Sequence, residues 1–464
     1  MLSEVGLEAQ SVGLVLGAEW SQDSYSFWFL LLMAAIYHTP GARRNVSYTT
    51  IMLDIQFIRD NPDLVAEKSK QKGYEVDIQQ LLGFDKERRE LLLQVEDFRR
   101  QRNDLSGQAK GQKPSEEQMQ AGRELKDKLA DLEHKLGSVE KEFQTLLKDV
   151  PNVTPDDTPE GGEENNREEK TWGEPRQDKV IDHQIWGEQR GLIDFERGAK
   201  VAGNKFYYLK GDLVNLELAV FQYGLQLAAK YGFTPITVPH LVNQRAIDGT
   251  GFSAKGDEDQ IYKIEGEDLH LIATAEIPIT GYHADEILEA DKLPLLYVGL
   301  SPAYRKEAGA YGKHSKGLYR VHQFNKLEMY VFCKPEDSEQ WHQKLVELEE
   351  ELCQALEIPY RLVRIAAGDL GQSAYKKFDI EYWSPADKNY RELMSCSNVT
   401  DYQARRLNIR YKNAEGKTEF VHTLNGTAAA FSRICIALIE NHQAGDKLNI
   451  PKVLQPFMGG KTEI

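Results

Sequence analysis

A chain of 464 residues, 41% hydrophobic and 28% charged, is long enough for two or three domains and apolar enough to build a sizeable core. Its net charge of −16 excludes a nucleic-acid partner only if the basic residues are evenly spread, because phosphate binding needs local positive surface. They are not: positions 86–113 hold eight Lys or Arg against five acids, and positions 156–170 hold seven acids against two bases.

The one long apolar run, SYSFWFLLLMAAI, lies at 24–36. It is too short to span a bilayer comfortably. The residues before it carry Glu4, Glu8, Glu19 and Asp23 and no Lys or Arg, so the basic segment of a secretory signal is missing. We expect residues 1–51 to be a disordered extension, as a mis-assigned start codon would produce, and the first domain to open at Met52 with MLDIQFIRDNP.

From about Gln79 to Ser106, Phe84, Leu91, Val95, Phe98 and Leu105 form an apolar stripe that also carries Arg88 and Arg102. A second run, Leu125, Leu129, Leu132, Leu136, Val139, Phe143 and Leu146, alternates gaps of four and three, which is a heptad seam. GQAKGQKPS between them breaks a helix. Two such seams predict an antiparallel helical hairpin of about 40 Å per helix. Taken alone, a hairpin of this kind reads as a generic coiled coil for dimerisation or spacing, since coiled coils are common and carry little chemistry.

After Pro151 comes PNVTPDDTPEGGEENNREEK, acidic and without apolar period, which reads as a linker. The composition turns globular at Trp172. LVNLELAVFQYGLQLAAKYGF (213–233) has helical spacing, as do 336–356 and 428–442. TPITVPHLV, LHLIATAEIPIT, LPLLYVGLSPAYR, FNKLEMYVF and YRLVRIAAG read as strands. They do not alternate regularly with helices, and there is no glycine-rich phosphate loop. The expected fold class is therefore α+β: an antiparallel β-sheet domain flanked by helices, preceded by the helical hairpin. The expected divisions are an extension (1–51), a helical arm (52–150), an acidic linker (151–171) and a large domain (172–464). Cys333, Cys353, Cys396 and Cys435 form no C-x-x-C pair and read as packed free thiols of a reducing, cytoplasmic compartment.

The stretch AYRKEAGAYGKHSKGLYRVHQFNKLEMYVF (303–332) reads as a long hairpin. Arg305 and Glu307 stand two apart, as do Arg320, His322, Phe324, Lys326 and Glu328, so each set is expected on one strand face, with Tyr319, Val321, Leu327 and Met329 opposite. Cation, ring, cation and acid on one face suit a ligand: cations for phosphates, a ring for a base, an acid for an ammonium or hydroxyl. A solvated face of alternating charge would waste Phe324. Three further segments fit the same purpose. ATAE (273–276) is expected to end a strand with a hydroxyl and an acid. ELMSCSN (392–398) offers the hard oxygens of Glu392, Ser395, Ser397 and Asn398, suited to a divalent cation. LNGTAAAFSR (424–433) is expected to end a strand at Asn-Gly and to open a helix carrying Arg433 two turns in.

In combination, TAE, RKEAG…GLYRVHQFNKLEM, ELMSCSN…DYQARR and TLNGTAAAFSR resemble the signature motifs of class II aminoacyl-tRNA synthetases, and specifically of bacterial-type seryl-tRNA synthetases. The hairpin and the MLDIQFIRDNPDLV start match as well, so the resemblance runs from Met52 to the C-terminus and leaves out the first 51 residues.

The resemblance implies activation of L-serine with ATP and Mg²⁺, followed by transfer to the 3′ end of tRNA(Ser), by a cytoplasmic homodimer with no role for membrane or DNA. Whether tRNA(Sec) is also charged stays open. Arg305 would grip the α-phosphate, with Lys306 and Glu307 beside it; Arg320 and Arg433 would hold the outer phosphates, and Arg305, Glu307, Arg320 and Arg433 would form the catalytic set. Val321, Phe324, Leu393 and Met394 would complete the ATP site, Phe324 by stacking on adenine. Glu392 and Ser395 would hold the metal. Thr274, Ala275, Glu276, Glu328, Asn425 and Thr427 would surround serine, Glu328 and Thr427 reading its hydroxyl. Arg88, Arg99, Arg100 and Arg102 would meet tRNA, although Arg88 and Arg102 also fall on the seam. No Cys/His set suggests the zinc-dependent variety. The chain departs from the usual pattern at TGFSAKGDEDQIY (250–262), at IPITGYHADEIL after TAE, at KHSKG (313–317), where Lys313 and Lys316 keep charge without a bidentate fork, and at Thr427, where Ser is common. Two alternatives remain: a paralogue loading serine onto another acceptor, and a non-catalytic scaffold.

Overall fold

The computed structural model describes residues 54–108, 115–252, 260–307 and 316–464. The expected extension at 1–51, the centre of the helix-breaking segment, most of the 250–262 loop and Lys313 lie outside the described residues.

The two seams fold as expected. Helix α1 spans Ile78–Gln108 and α2 spans Glu116–Asp149. Ser115 starts α2 with a capping box: its hydroxyl accepts from the Gln118 backbone N–H, and the Gln118 side chain accepts from the Ser115 N–H. Leu91 and Val95 of α1 and Leu129, Val139 and Phe143 of α2 are buried between the helices. At the base, Leu147 and Val150 join Ile55, Ile58, Val65, Ile78 and Leu81 in a separate small core.

The arm is tied to the body by buried polar contacts. The Lys72 ammonium donates to the carbonyls of Asn152, Gln372 and Ala374 at 3.2, 3.1 and 2.9 Å. The Asn152 amide donates to the Ser373 and Val399 carbonyls at 3.0 and 2.8 Å. Each of these acceptors would be costly to bury unpaired.

The large domain is built on an eight-stranded sheet. In chain order its strands are β1 (Arg167–Trp172), β2 (Thr234–Ile236), β3 (Leu295–Tyr304), β4 (Gln323–Cys333), β5 (Tyr360–Arg364), β6 (Lys376–Ser384), β7 (Asn389–Thr400) and β8 (His422–Ala430). They lie side by side as β1-β5-β6-β7-β8-β4-β3-β2, antiparallel throughout except for β2 with β3. Helices α3 (Asp212–Lys230), α4 (Ser338–Ala355) and α5 (Phe431–His442) share the main core with the strands, as the α+β expectation requires.

Strand β4 sorts its side chains by parity. Leu327, Met329, Val331 and Cys333 enter the main core. Tyr330 and Phe332 enter a second core with Ile277 and Ile279. Phe324, Lys326 and Glu328 share the parity of that second side.

Three expectations need correction. The acidic stretch is not a free linker: Asn152, Thr154 and Thr158 are buried, and 167–172 form the edge strand β1, paired with β5. Its charges are tolerated because an edge strand exposes its side chains. LHLIATAEIPIT is not one strand: only His270–Leu271 pair, and Glu276–Tyr282 is a helix. Pro278 fits there because first-turn N–H groups need no intrahelical partner. The strand expected from Tyr319 starts only at Gln323, preceded by a 3₁₀ turn at Gly317–Tyr319. All four cysteines are buried and unpaired, and burial pushes the Cys396 thiol well up, as packed thiols require.

Candidate active site

Four segments converge on one cleft. The β3–β4 hairpin supplies Arg305, Glu307, Val321 and Phe324. Strand β7 supplies Glu392, Leu393, Met394 and Ser395. Thr427 of β8 and Arg433 of α5 complete the wall, with Tyr319 and Lys326 beside them.

The pairing between strands explains how residues so spaced meet. Glu392 and Ser395 stand three apart, so strict alternation would put them on opposite faces. Opposite Glu381 stands Glu392 and opposite Ile380 stands Met394, so Leu393 is an inserted bulge residue. The bulge resets the alternation and brings both oxygens into the cleft. Arg433 sits in the first turn of α5, not two turns in, because β8 keeps its ladder to β4 as far as Ala430. Tyr319 and Val321 face the cleft rather than the opposite side, because the chain has not yet entered β4.

The electrostatics are tightly coupled. Arg433 Nη1 lies 2.7 Å from Glu392 Oε1. Burial works against the Glu392 charge, yet Arg433 and Lys377 outweigh it and bring its carboxyl down to about 2. The Arg305 guanidinium lies 5.3 Å from the centre of the Phe324 ring and donates to the Ala273 carbonyl at 3.3 Å. Burial, and then the nearby Arg433 charge, lower its pKa. Arg433 is already paired with Glu392, whereas burial and Arg433 together outweigh the acids around Arg305 and disfavour its charge, a cost that an anion beside Arg305 would relieve.

At the inner end a second cluster forms. Lys326 is ion-paired with the buried Glu328, and its ammonium lies 3.5 Å from Thr274 Oγ1. Glu276 Oε1 accepts from the Gln403 and Asn425 amides at 2.7 and 3.1 Å. Burial first, and then the charge of Glu328, push the Glu276 carboxyl up to about 7. Thr427 pairs directly across from Glu328. Thr274, Ala275, Glu276, Glu328, Asn425 and Thr427 are thus brought together. Glu328 is only 1% exposed and does not itself line the cleft; Lys326 does.

Two residues expected in the nucleotide site stand outside the wall. Lys306 is exposed, its ammonium 6.0 Å from the Tyr262 ring. Arg320 is exposed at the rim, 3.6 Å from Glu307 Oε2, because the chain before Gln323 is not strand and does not aim it inward. On the arm, Arg99 pairs with Glu133 at 2.7 Å and Arg100 with Asp97, both exposed, and Arg102 is exposed. Arg88 does not face solvent. It lies over the Phe143 ring at 4.6 Å and contacts Asp85 and Glu140, so it packs the hairpin.

Tyr319, Gln403 and His183 contribute although sequence patterning gives them no role. The Tyr319 ring lies 4.9 Å from the Arg433 guanidinium. His183 Nε2 accepts from the Leu318 backbone N–H at 3.2 Å, and Nδ1 faces Glu440 Oε1 at 3.2 Å. Glu440 in turn accepts from the Ser384 hydroxyl at 2.6 Å. Asp182, His183 and Glu440 could geometrically hold a metal, but these hydrogen bonds already occupy the imidazole and Glu440. The cluster is a latch between α5 and the hairpin.

The eight-stranded sheet and this cleft define a class II aminoacyl-tRNA synthetase core. Residues 261–442 match the tRNA synthetase class II core domain (G, H, P, S and T), and residues 52–154 match the seryl-tRNA synthetase N-terminal domain. The chain is 45% identical over 418 residues to a serine–tRNA ligase of Dictyoglomus turgidum, covering 88% of this chain and 98% of that one. It superposes on seryl-tRNA synthetase of Pyrococcus horikoshii complexed with ATP with a TM-score of 0.81 at 40% identity, covering 89% of this chain and 99% of that one. It also superposes on a cytoplasmic serine–tRNA ligase from Naegleria fowleri in complex with AMP, with a TM-score of 0.78 at 33% identity, over 89% of this chain and 99% of the other. The chain belongs to the seryl-tRNA synthetase family.

Proposed function

We infer that this protein activates L-serine with ATP to seryl-adenylate and then transfers the seryl group to the 3′ end of tRNA(Ser). The observation that carries the reading is the cleft in which Arg305, Phe324, Glu392 and Arg433 meet, lined also by Lys326 and Thr427, with the buried Glu276 in electrostatic reach of Lys326 and Arg305.

In the first step the serine carboxylate attacks the α-phosphorus, and the bond to the bridging oxygen of pyrophosphate breaks. Charge spreads over phosphate oxygens, so fixed cations and alignment supply most of the rate. Arg305 holds the α-phosphate, Arg433 the outer phosphates, and Phe324 stacks on adenine. Glu307 stands beside the base, Lys306 flanks it, and Arg320 serves from the rim. Val321, Leu393 and Met394 form the apolar sides.

Glu392 and Ser395 are the residues that would hold Mg²⁺. The β7 bulge turns both oxygens into the cleft, and a carboxylate with a hydroxyl beside phosphate oxygens suits a hard cation. When bound, Mg²⁺ neutralises phosphate charge.

For serine, Glu276 takes the ammonium, Thr274 and Ala275 shape the floor, and Asn425 fixes the wall. Thr427, with Glu328 acting through Lys326, reads the hydroxyl. A site that hydrogen-bonds a substrate hydroxyl rejects an analogue lacking it by roughly 10⁴-fold. Arg99, Arg100 and Arg102 meet the backbone of the tRNA, which suits recognition by shape rather than by base edges.

No helix among the described residues is long and apolar enough to cross a membrane. Leu218 and Val214 on α3, with nearby Val201 and Tyr208, are exposed apolar residues, which supports a homodimer. We read the compartment as the cytoplasm, from the unpaired cysteines. Serine-dependent exchange of pyrophosphate into ATP, with charging of purified tRNA(Ser), tests the reading.

A further inference from the structure

Gln403 is fully buried, second in the helix Tyr402–Leu407, and each of its polar atoms is engaged. Nε2 donates to Glu276 Oε1 at 2.7 Å and to the Thr250 carbonyl at 3.1 Å. Oε1 accepts from the Tyr330 hydroxyl at 2.6 Å and from Thr423 Oγ1 at 2.9 Å. The orientation of the amide is unambiguous. A flipped amide would set its oxygen against a carboxylate and a carbonyl, neither of which can donate.

The helix that carries Gln403 is itself pinned. Arg406 donates to the Asp248 and Lys148 carbonyls at 3.1 and 3.3 Å. Arg405 pairs with Asp401 at 2.6 Å and with Asp54 at 3.5 Å. Asn425 adds a second donor to Glu276 Oε1, and Oε2 has no hydrogen-bond partner among the described residues. A donor set crowded onto one oxygen of a buried carboxylate fixes its rotamer and leaves the other oxygen for a ligand.

We propose that Gln403 is a positioning residue for serine activation: it orients the Glu276 carboxylate so that its second oxygen is held for the substrate ammonium. This rests on the reading of Glu276 as the ammonium's partner. Gln403 also biases the charge of that carboxylate. Burial and Glu328 on β4 disfavour the ionised form, whereas the Gln403 amide, Lys326 on β4 and Arg305 after β3 favour it. Loss of Gln403 therefore raises the pH at which Glu276 ionises. Serine binding, which needs the anion, then fails at a higher pH as the solution is acidified.

The test is serine-dependent pyrophosphate exchange on the full chain at saturating Mg²⁺ and ATP, between about pH 6 and 9. In Gln403→Met the KM for serine is expected to rise about 10- to 100-fold, the size of a lost hydrogen bond to a charged group. The KM for ATP is expected to stay at the parental value. The acid limb of kcat/KM for serine is expected to move up by about one pH unit. Unchanged serine KM with an unmoved limb overturns the proposal, and so does an equal rise in KM for serine and ATP, which is what general loosening produces. Should Gln403→Met fail to fold, Tyr330→Phe decides. It removes one of the two donors to Gln403 Oε1 and is expected to move both readouts the same way by less; no movement overturns the proposal. A parental enzyme without serine-dependent exchange would refute the functional reading itself, a different outcome.

Discussion

Arg433 Nη1 and Glu392 Oε1 stand 2.7 Å apart across the cleft, so the cation assigned to phosphate and the acid assigned to the metal neutralise each other. On the proposed reading, Glu392 would hold Mg²⁺ and Arg433 a phosphate of ATP, so each would take a new partner in place of the other. Glu392→Gln is expected to raise the half-saturating Mg²⁺ for exchange about tenfold, the loss of one charged ligand. Magnesium titration of the exchange rate checks this; an unchanged midpoint would remove Glu392 from the metal site.

The pair between Lys326 and Glu328 is buried, and breaking it one-sidedly strands a carboxylate. Lys326→Met is expected to lower unfolding free energy by about 3–5 kcal/mol. The double variant Lys326→Met with Glu328→Gln is expected to recover most of that loss while remaining inactive. Urea denaturation followed by circular dichroism reads both.

Gly317 has φ near +60°, and a Cβ there would lie 2.2 Å from His183 Nε2. Gly317→Ala must push His183 off the Leu318 N–H and shift Tyr319 away from Arg433. A displacement of about 1 Å at such a site costs up to about 100-fold in rate. The expected result is a fall in kcat for exchange of at least about tenfold with a lowered melting temperature; a parental kcat would show that the latch does not position the cleft.

Much of this site is legible in the sequence because it depends on strand parity. Phe324, Lys326 and Glu328 stand two apart within β4, and their shared side follows from that alone. What is not legible depends on irregularity or on distance. The inserted Leu393 shows only in the pairing of β7 with β6. The helix Glu276–Tyr282, which opens at the last residue of ATAE, follows from how the chain packs, not from its β-branched composition. The strand at 167–172 is hidden by acids that an edge position tolerates. Gln403 lies within DYQARR, but nothing local shows its role, since its partners Thr250, Glu276, Tyr330 and Thr423 are scattered over more than one element.

The arm separates two kinds of arginine. Arg88→Ala removes packing on Phe143 and a contact with the fully buried Asp85, and is expected to destabilise the hairpin by about 1–3 kcal/mol. Replacing Arg99, Arg100 and Arg102 by Ala is expected to raise the KM for tRNA(Ser), to weaken its salt dependence, and to leave pyrophosphate exchange at the parental rate. Charging assays over a salt series distinguish the two; a triple variant with parental tRNA kinetics would move the contact elsewhere on the arm.

The most direct measurement is amino-acid-dependent exchange of labelled pyrophosphate into ATP by the parental chain and by Arg305→Ala, followed by charging of purified tRNA(Ser). Serine alone is expected to drive exchange, the variant to lose it while remaining folded, and the parental chain to load serine onto the tRNA. Exchange that persists in Arg305→Ala, or that answers to another amino acid in preference to serine, would contradict the assignment.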